Sequence, residues 1–325
     1  MSDTPPAGPP PRHRPITLGL DVGGSKTDAV AVRDGEILAR VRLTTGWGPD
    51  AVVATILDAV TALRGQAGIA PGDPTTIGIG IPGQIVPGTT RVEHAVNLGL
   101  DSFDLGAALA DASGSAVRIE NDVKAATLGA AFLRGGAASM AYLNLGTGVA
   151  AGVLTGGALW RGTRGAAGEI GHISIDPAGP DCRCGQVGCI EALAGGAAIA
   201  RRWGHPGTLP VRDVFDAADA GDTRAIALRA GLAHGVSAAV RVLVLTADVD
   251  VVTIGGGLAA LGDRLLADVR RELRRSAAAS SFLGSLRLDE RIETLPEGSA
   301  AAALGAALAG ADRPASQLRG VLARG

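Results

Sequence analysis

Aromatic side chains are nearly missing from this chain, at 2% of residues against 46% hydrophobic overall. Its cores must therefore be assembled from Val, Leu, Ile and Ala. Lysine is almost as scarce: of 30 cationic residues only Lys26 and Lys124 are lysines, and the abundance of Ala, Gly and Arg fits a GC-rich coding sequence. Cysteine occurs three times, always between positions 182 and 189, which excludes a disulfide framework and points to a reducing cytoplasm. Formal net charge is −2 with no basic stripe, so no nucleic-acid or anionic-membrane surface is expected. No apolar run reads as long enough to span a bilayer, and the N-terminus lacks the apolar core of a signal peptide. With 325 residues the chain suits one large or two medium domains.

What is present falls into an α/β order. Residues 1–15 are proline-rich and aperiodic, read as a disordered tail. ITLGLDV from Ile16 is a strand, Gly23-Gly24-Ser25 a tight turn, KTDAVAV a second strand, and Asp34-Gly35 a hairpin signal into EILARVRL. Asp50 to Gln66 has helical periodicity behind Pro49; Thr76–Gly83 and Ala116–Asp122 are short strands; Val123 to Arg134 is a helix. The opening pattern then recurs. Met140–Gly148 is a strand into a glycine turn, VAAGVL a second strand, and ALWRG a third. Long alanine-rich helices run roughly from Asp213 to Leu245, Val249–Ala259 is strand, triple glycine and helix, and Ser299 to Gly310 is a closing helix. Two such units imply two similar α/β lobes with a cleft between them.

Chemistry concentrates in four places. His172, Cys182, Cys184 and Cys189 lie in one Gly/Pro-rich stretch bounded by Glu169 and Glu191. Three thiolates and an imidazole are the donor set of a closed tetrahedral zinc site, which orders a loop and does no Lewis-acid chemistry. The metal would fix Glu169 and Glu191 as hydroxyl acceptors, although each is equally a solvated surface acid. Asp21-Val22-Gly23-Gly24-Ser25-Lys26 lets backbone approach phosphates, with Asp21 able to hold magnesium through water; alone it is just as well an ordinary hairpin turn. Gly146-Thr147-Gly148 is the matching turn, and Gly255-Gly256-Gly257 offers a flat surface for an adenine or ribose, or else mere helix–sheet packing. Asp122, at the carboxyl end of a strand, is a plain N-cap or a base that accepts a proton from an attacking hydroxyl. Asn97 is a loop amide or a hydroxyl partner.

These motifs resemble the ROK family of bacterial sugar kinases over nearly the whole ordered chain, from Leu18 to about Ala309. LGLDVGGSKTDAVAV is similar to its first phosphate motif, IENDVKAATLGAA to its catalytic segment, LNLGTGVAAGVL to its second phosphate motif, and VVTIGGGLA to its adenosine-side glycines. GEIGH and CRCGQVGCIEALAGG are similar to the family signature. The resemblance implies the actin/hexokinase-type fold, two ribonuclease-H-like lobes with an interlobe cleft. It places residues 16–120 and 300–325 in a small N-terminal lobe and 121–299 in a large lobe. It implies ATP with Mg2+, structural zinc, a hexose substrate phosphorylated at its 6-hydroxyl and a homodimer. Asp122 would be the base, and Gly83, Asn97, Asn121, Asp122, Glu169, His172 and Glu191 would hold sugar hydroxyls. Phosphates and nucleotide would fall to Asp21, Gly23, Gly24, Ser25, Lys26, Gly146, Thr147, Gly148 and Gly255 to Gly257.

Three positions depart from the family pattern. Lys124 stands where Asn is frequent and is expected to point away from the face of Asp122, Ala150 replaces a frequent glycine, and Asp28 is expected to face solvent. Repressors of the same family carry an added N-terminal helix-turn-helix; only the proline-rich segment precedes the first strand, so DNA binding is not expected. A non-catalytic sugar sensor is disfavoured by Asp122 and both phosphate turns, and a zinc hydrolase by the four protein ligands. Glucose, N-acetylglucosamine, N-acetylmannosamine and 3-amino-3-deoxyglucose all remain open as substrates.

Overall fold

In the first strand, β1 (Ile16–Val22), every residue except Asp21 is buried, as in a central strand covered on both faces. The computed structural model describes residues 15–311, apart from residues 71, 72, 74, 206, 208 and 297. The expected disordered tail therefore lies almost wholly outside the described residues. From β1 the chain returns antiparallel as β2 (Lys26–Arg33) and β3 (Glu36–Thr44). Asp34 and Gly35 both have positive φ, 54° and 87°, the type I′ geometry that matches strand twist.

Helix α1 (Pro49–Gln66) buries Val52, Thr55, Ile56, Ala59, Val60 and Leu63, a 3.6-residue stripe, and delivers the chain to β4 (Thr75–Ile81), parallel to β1. A three-stranded antiparallel sheet follows, β5 (Gln84–Ile85), β6 (Arg91–Ala95) and β7 (Leu100–Asp104), then α2 (Leu105–Ser113), capped by the Asp104 side chain, and β8 (Ala116–Asn121), parallel to β4. Neither the small sheet nor α2 was expected; strands of two to five residues carry little periodicity.

After α3 (Asp122–Leu133) a second sheet is built from β9 (Met140–Leu145), β10 (Val149–Thr155) and β11 (Ala158–Leu159). Helices α4 (Ile190–Ala194), α5 (Gly196–Trp203), α6 (Pro210–Asp219) and α7 (Thr223–Ala247) lead to β12 (Val252–Gly255); α8 (Asp263–Ala277) and α9 (Ser281–Ser285) lead to β13 (Ile292–Thr294). The two large sheets have orders β3-β2-β1-β4-β8 and β11-β10-β9-β12-β13. In each, three antiparallel strands in sequence are followed by two parallel additions. The weak sequence repeat is thus a strict topological one, and the two-lobed α/β architecture is as expected.

The helices expected over 213–245 are α6 and α7, divided at Gly221 (φ 93°) and restarted by Asp222, whose side chain accepts from the Ala225 N–H. Two other expectations are corrected. ALWRG holds only a two-residue strand. Helix α7, at 25 residues, is long and apolar enough to cross a membrane by composition, contrary to the reading of the sequence. Half of that apolar window is buried within the protein, against α4, α6 and α8.

Helix α10 (Ala301–Gly310) lies against β1, β4 and α3 almost backbone to backbone. A Cβ on Gly305 would fall 1.7 Å from the Ala125 carbonyl oxygen, and one on Gly78 1.8 Å from that of Ala306. Paucity of large side chains is what lets these elements approach so closely.

Candidate active site

Asn121 ends β8 and caps α3: its Oδ1 accepts from the N–H groups of Val123 and Lys124, both at 3.1 Å. Its Nδ2 donates to the Gly83 carbonyl at 3.2 Å and to Asp122 Oδ1 at 3.0 Å. Asp122 also accepts from Val123 N–H at 2.9 Å. The cap is therefore Asn121, which frees Asp122 from the bland N-cap role. Burial pushes the Asp122 carboxyl above its ordinary range, opposed by the Val123 N–H and reinforced by the negative charge of Glu169.

Asp21, next to the end of β1, is pushed up to about 7 by burial first, then by Asp122 and Asp28, with Lys26 opposing. Three carboxylates, those of Asp21, Asp28 and Asp122, thus line one cavity of about 670 Å3. Lys26, Tyr142, Asn144, the Gly255–Gly256–Gly257 run and the start of α10 complete its wall. Such a volume suits a small-molecule site.

The glycine turns divide differently from expectation. Gly23 N–H bonds to the Lys26 carbonyl at 3.0 Å, and Gly24 packs on Asn97, where a Cβ would sit 3.0 Å from its carbonyl oxygen. Ser25 and Lys26 are exposed at the rim. The Gly146–Gly148 turn is held from behind by α5: Gly196 and Ala197 N–H donate to the carbonyls of Gly146 and Thr147 at 2.9 and 3.0 Å. Thr147 and Gly148 line a smaller cavity of about 200 Å3 with Asn97, Arg183 and Glu191, not the larger one. Glu191 Oε2 accepts from the Val149 N–H at 2.9 Å, so one of its oxygens is already engaged. A Cβ on Gly148 would meet that oxygen at 2.3 Å, which is why glycine stands there.

The cysteine stretch closes on itself. The ligand atoms of His172, Cys182, Cys184 and Cys189 lie within 4.8 Å of one another. Cys184 and Cys189 sulfurs are 3.7 Å apart, and Cys182 Sγ is 4.0 Å from His172 Nδ1. A tetrahedron with metal–sulfur bonds of about 2.3 Å has sulfur–sulfur edges of about 3.8 Å. The donor set and spacing therefore fit one four-coordinate metal ion. With Nδ1 toward the sulfurs, Nε2 lies on the opposite edge of the His172 ring. Glu169 immediately precedes the short 3-10 helix Ile170–His172 and is exposed.

Two expectations about single residues fail. Asp28 is buried, not solvent-facing, because it stands opposite Asp21 on one side and Arg42 on the other. Arg42 holds it with a two-pronged pair at 2.7 and 3.0 Å. Lys124 is likewise buried, its Nζ donating to the Gly165 carbonyl at 2.7 Å, and its charge is felt by Glu120, Glu169 and, least, Asp122. Residues missed altogether include Tyr142, Asn144, Arg40 and Arg42. Tyr142, whose burial pushes its phenol up, presses against Gly255, where a Cβ would meet its oxygen at 2.1 Å. A lone tyrosine in a chain of 325 residues was the available signal.

Comparison with known proteins fits this geometry. The ROK family model matches residues 17–312. The chain belongs to the ROK family. It is 32% identical over 282 residues to a glucokinase of Halalkalibacterium halodurans, covering 80% of this chain and 86% of the relative. It is 33% identical over 269 residues to an N-acetylmannosamine kinase of Shigella boydii, covering 81% and 90%. A ROK family glucokinase from Streptomyces griseus, solved in complex with glucose and AMPPNP, superposes with a TM-score of 0.73 at 27% identity, covering 91% of this chain and 99% of that one.

Proposed function

We propose that this ROK protein transfers the γ-phosphoryl group of ATP to the 6-hydroxyl of a hexose, glucose or a close analogue. The observation that carries this is Asp122. A carboxylate released from capping duty by Asn121 faces a cavity floored by a second acid, Asp21, and walled by glycine backbone. Asp122 accepts the hydroxyl proton as the sugar oxygen attacks the γ-phosphorus; the bond to the bridging oxygen breaks and ADP leaves. Such a transition state asks mainly for alignment and charge stabilisation. A magnesium ion held by Asp21 would supply neutralisation of the phosphate charge. Gly255 to Gly257 would receive the adenosine side and the Gly23–Lys26 turn the phosphates, with the Gly146–Gly148 turn reaching the terminal phosphate only from the adjoining smaller cavity that its Thr147 and Gly148 line.

Asn121, Glu169, His172 and Glu191, with Gly83 and Asn97, would hold the sugar. The Cys182, Cys184, Cys189 and His172 set would hold one zinc ion whose work is structural. Residues 16–120 with 300–325, and 121–299, would form the two lobes, and the protein would act as a cytoplasmic homodimer. The likeness to an N-acetylmannosamine kinase supports an amino-sugar substrate as the second reading. Coupled measurement of ADP release across glucose, mannose, N-acetylglucosamine, N-acetylmannosamine and 3-amino-3-deoxyglucose decides between them. Glucose is expected to give the highest kcat/KM. Binding of sugar with no ADP release for any of them would sink the kinase reading and favour a sensor.

A further inference from the structure

Lys124 is one of only two lysines in the chain, and 4% of it is exposed. Its Nζ donates to the Gly165 carbonyl at 2.7 Å. Burial lowers its pKa, and the charges of Glu120, Glu169 and Asp122 work the other way. Gly165 belongs to the loop Trp160–Gly168, which leaves the second sheet after β11. The same loop is tied a second time: Arg161 Nε donates to Glu120 Oε2 at 2.7 Å, and the other oxygen of Glu120 accepts from the Asn121 N–H at 3.1 Å. Gly165 also rests on the first lobe, where a Cβ would approach the Ile85 carbonyl oxygen of β5 to 3.2 Å. At its far end Gly168 accepts from the Ala151 N–H at 2.8 Å, one residue before Glu169. One loop of the second lobe is thus fastened twice to the strand-to-helix junction that carries Asn121 and Asp122.

We propose that Lys124, together with the Glu120–Arg161 pair, is a latch that sets where Glu169 presents its carboxylate to a hydroxyl of the hexose. Lys124 touches neither reactant and is a positioning residue; the inference rests on the reading of Glu169 as a sugar-hydroxyl acceptor. A charge-assisted hydrogen bond in a buried place is strong, and breaking it leaves the loop held by Arg161, which is exposed and accessible to water. The loop then samples a wider range of positions while Asp122, fixed by Asn121 and Val123, stays in place.

The test is Lys124→Met in the full chain, which keeps the stem and removes the charge and donor. The expected result is a sugar KM raised about tenfold with kcat changed less than threefold, and faster hydrogen exchange of amides 161–168. Trp160, half exposed at the head of the loop, should show a changed fluorescence maximum in the absence of sugar. Unchanged KM and unchanged exchange would overturn the proposal; a fall in kcat with KM unaltered would also overturn it, by moving Lys124 onto Asp122. If Lys124→Met does not fold, Arg161→Gln tests the second tie by the same readouts. Failure of the kinase reading would show as no turnover in the unsubstituted protein, whereas the exchange and fluorescence comparisons are made without substrate and fail only with the latch.

Discussion

In Asp122 the carboxylate is withdrawn from water, bonded to Asn121 and Val123, and faces the charge of Glu169. Its folded pKa lies above the unfolded value near 3.9, so its charged form opposes folding. That penalty is absent below the unfolded pKa and grows as pH rises through the folded one. For Asp21, whose carboxyl is pushed up to about 7, the window runs from about 4 to about 7. Asp122→Asn keeps an oxygen for Val123 and Asn121 while removing the charge, and it also relieves Asp21. The expected outcome is a fall in kcat of about 10³-fold with sugar affinity within severalfold. Tm should rise relative to the unsubstituted protein, by more at pH 8 than at pH 5. Retained turnover would remove Asp122 from its role, and a lower Tm at pH 8 would reverse the sign of the burial argument. Asp122 was legible because it follows a strand and precedes a helix. Asp28, Lys124 and Tyr142 were not, since their significance depends on cross-strand register and on a loop 41 residues away, neither of which local sequence encodes.

At the scale of elements, the segment from Glu169 to Cys189 contains hardly any regular structure, only the short 3-10 turn at Ile170–His172 and isolated bridges such as Ser174–Cys189. Without a metal it has little besides its turn and bridge hydrogen bonds to hold it. Metal analysis is expected to find one zinc per chain, and none would refute the site. Cys189→Ala should lose that zinc and lower kcat/KM on the order of 10²-fold, because a loosened loop lets Glu169 and Glu191 move by about an ångström, a misplacement of that cost. The donor set was readable because clustered Cys and His have few other uses. The small sheet β5-β6-β7, by contrast, is too short to announce itself, yet the turn entering it places the Gly83 carbonyl on Asn121 and its Ile85 carbonyl lies against Gly165. Helix α10 makes a separate demand. Gly305→Val would drive a branched side chain into the Ala125 carbonyl, and is expected to destabilise by about 3 kcal/mol or more, seen as loss of soluble protein or a shifted denaturant midpoint.

For the molecule as a whole, two sheets of one strand order enclose the cavity that holds Asp21, Asp122 and Gly255 to Gly257. The repeat was legible because strand, glycine turn, strand and hairpin recur in the same sequence, and α1, α3 and the helices over 213–245 were legible from their periodicity; α2, nine residues rich in alanine, was not, because it offers little contrast between faces. The close seating of α10 on β1 and β4 has a consequence for how the chain reaches this state. Gly19 and Ala303 meet across more than 280 intervening residues, and such distant pairings are slow to form. A nascent chain emerging N-terminus first carries the first sheet, bare on one side, until nearly everything else has been made. The second sheet, contiguous in sequence from Met140 to Thr294, has no such wait. In refolding followed by pulsed hydrogen exchange, amides of β9 and β12 should be protected before those of β1 and β4, and the latter should acquire protection together with α10.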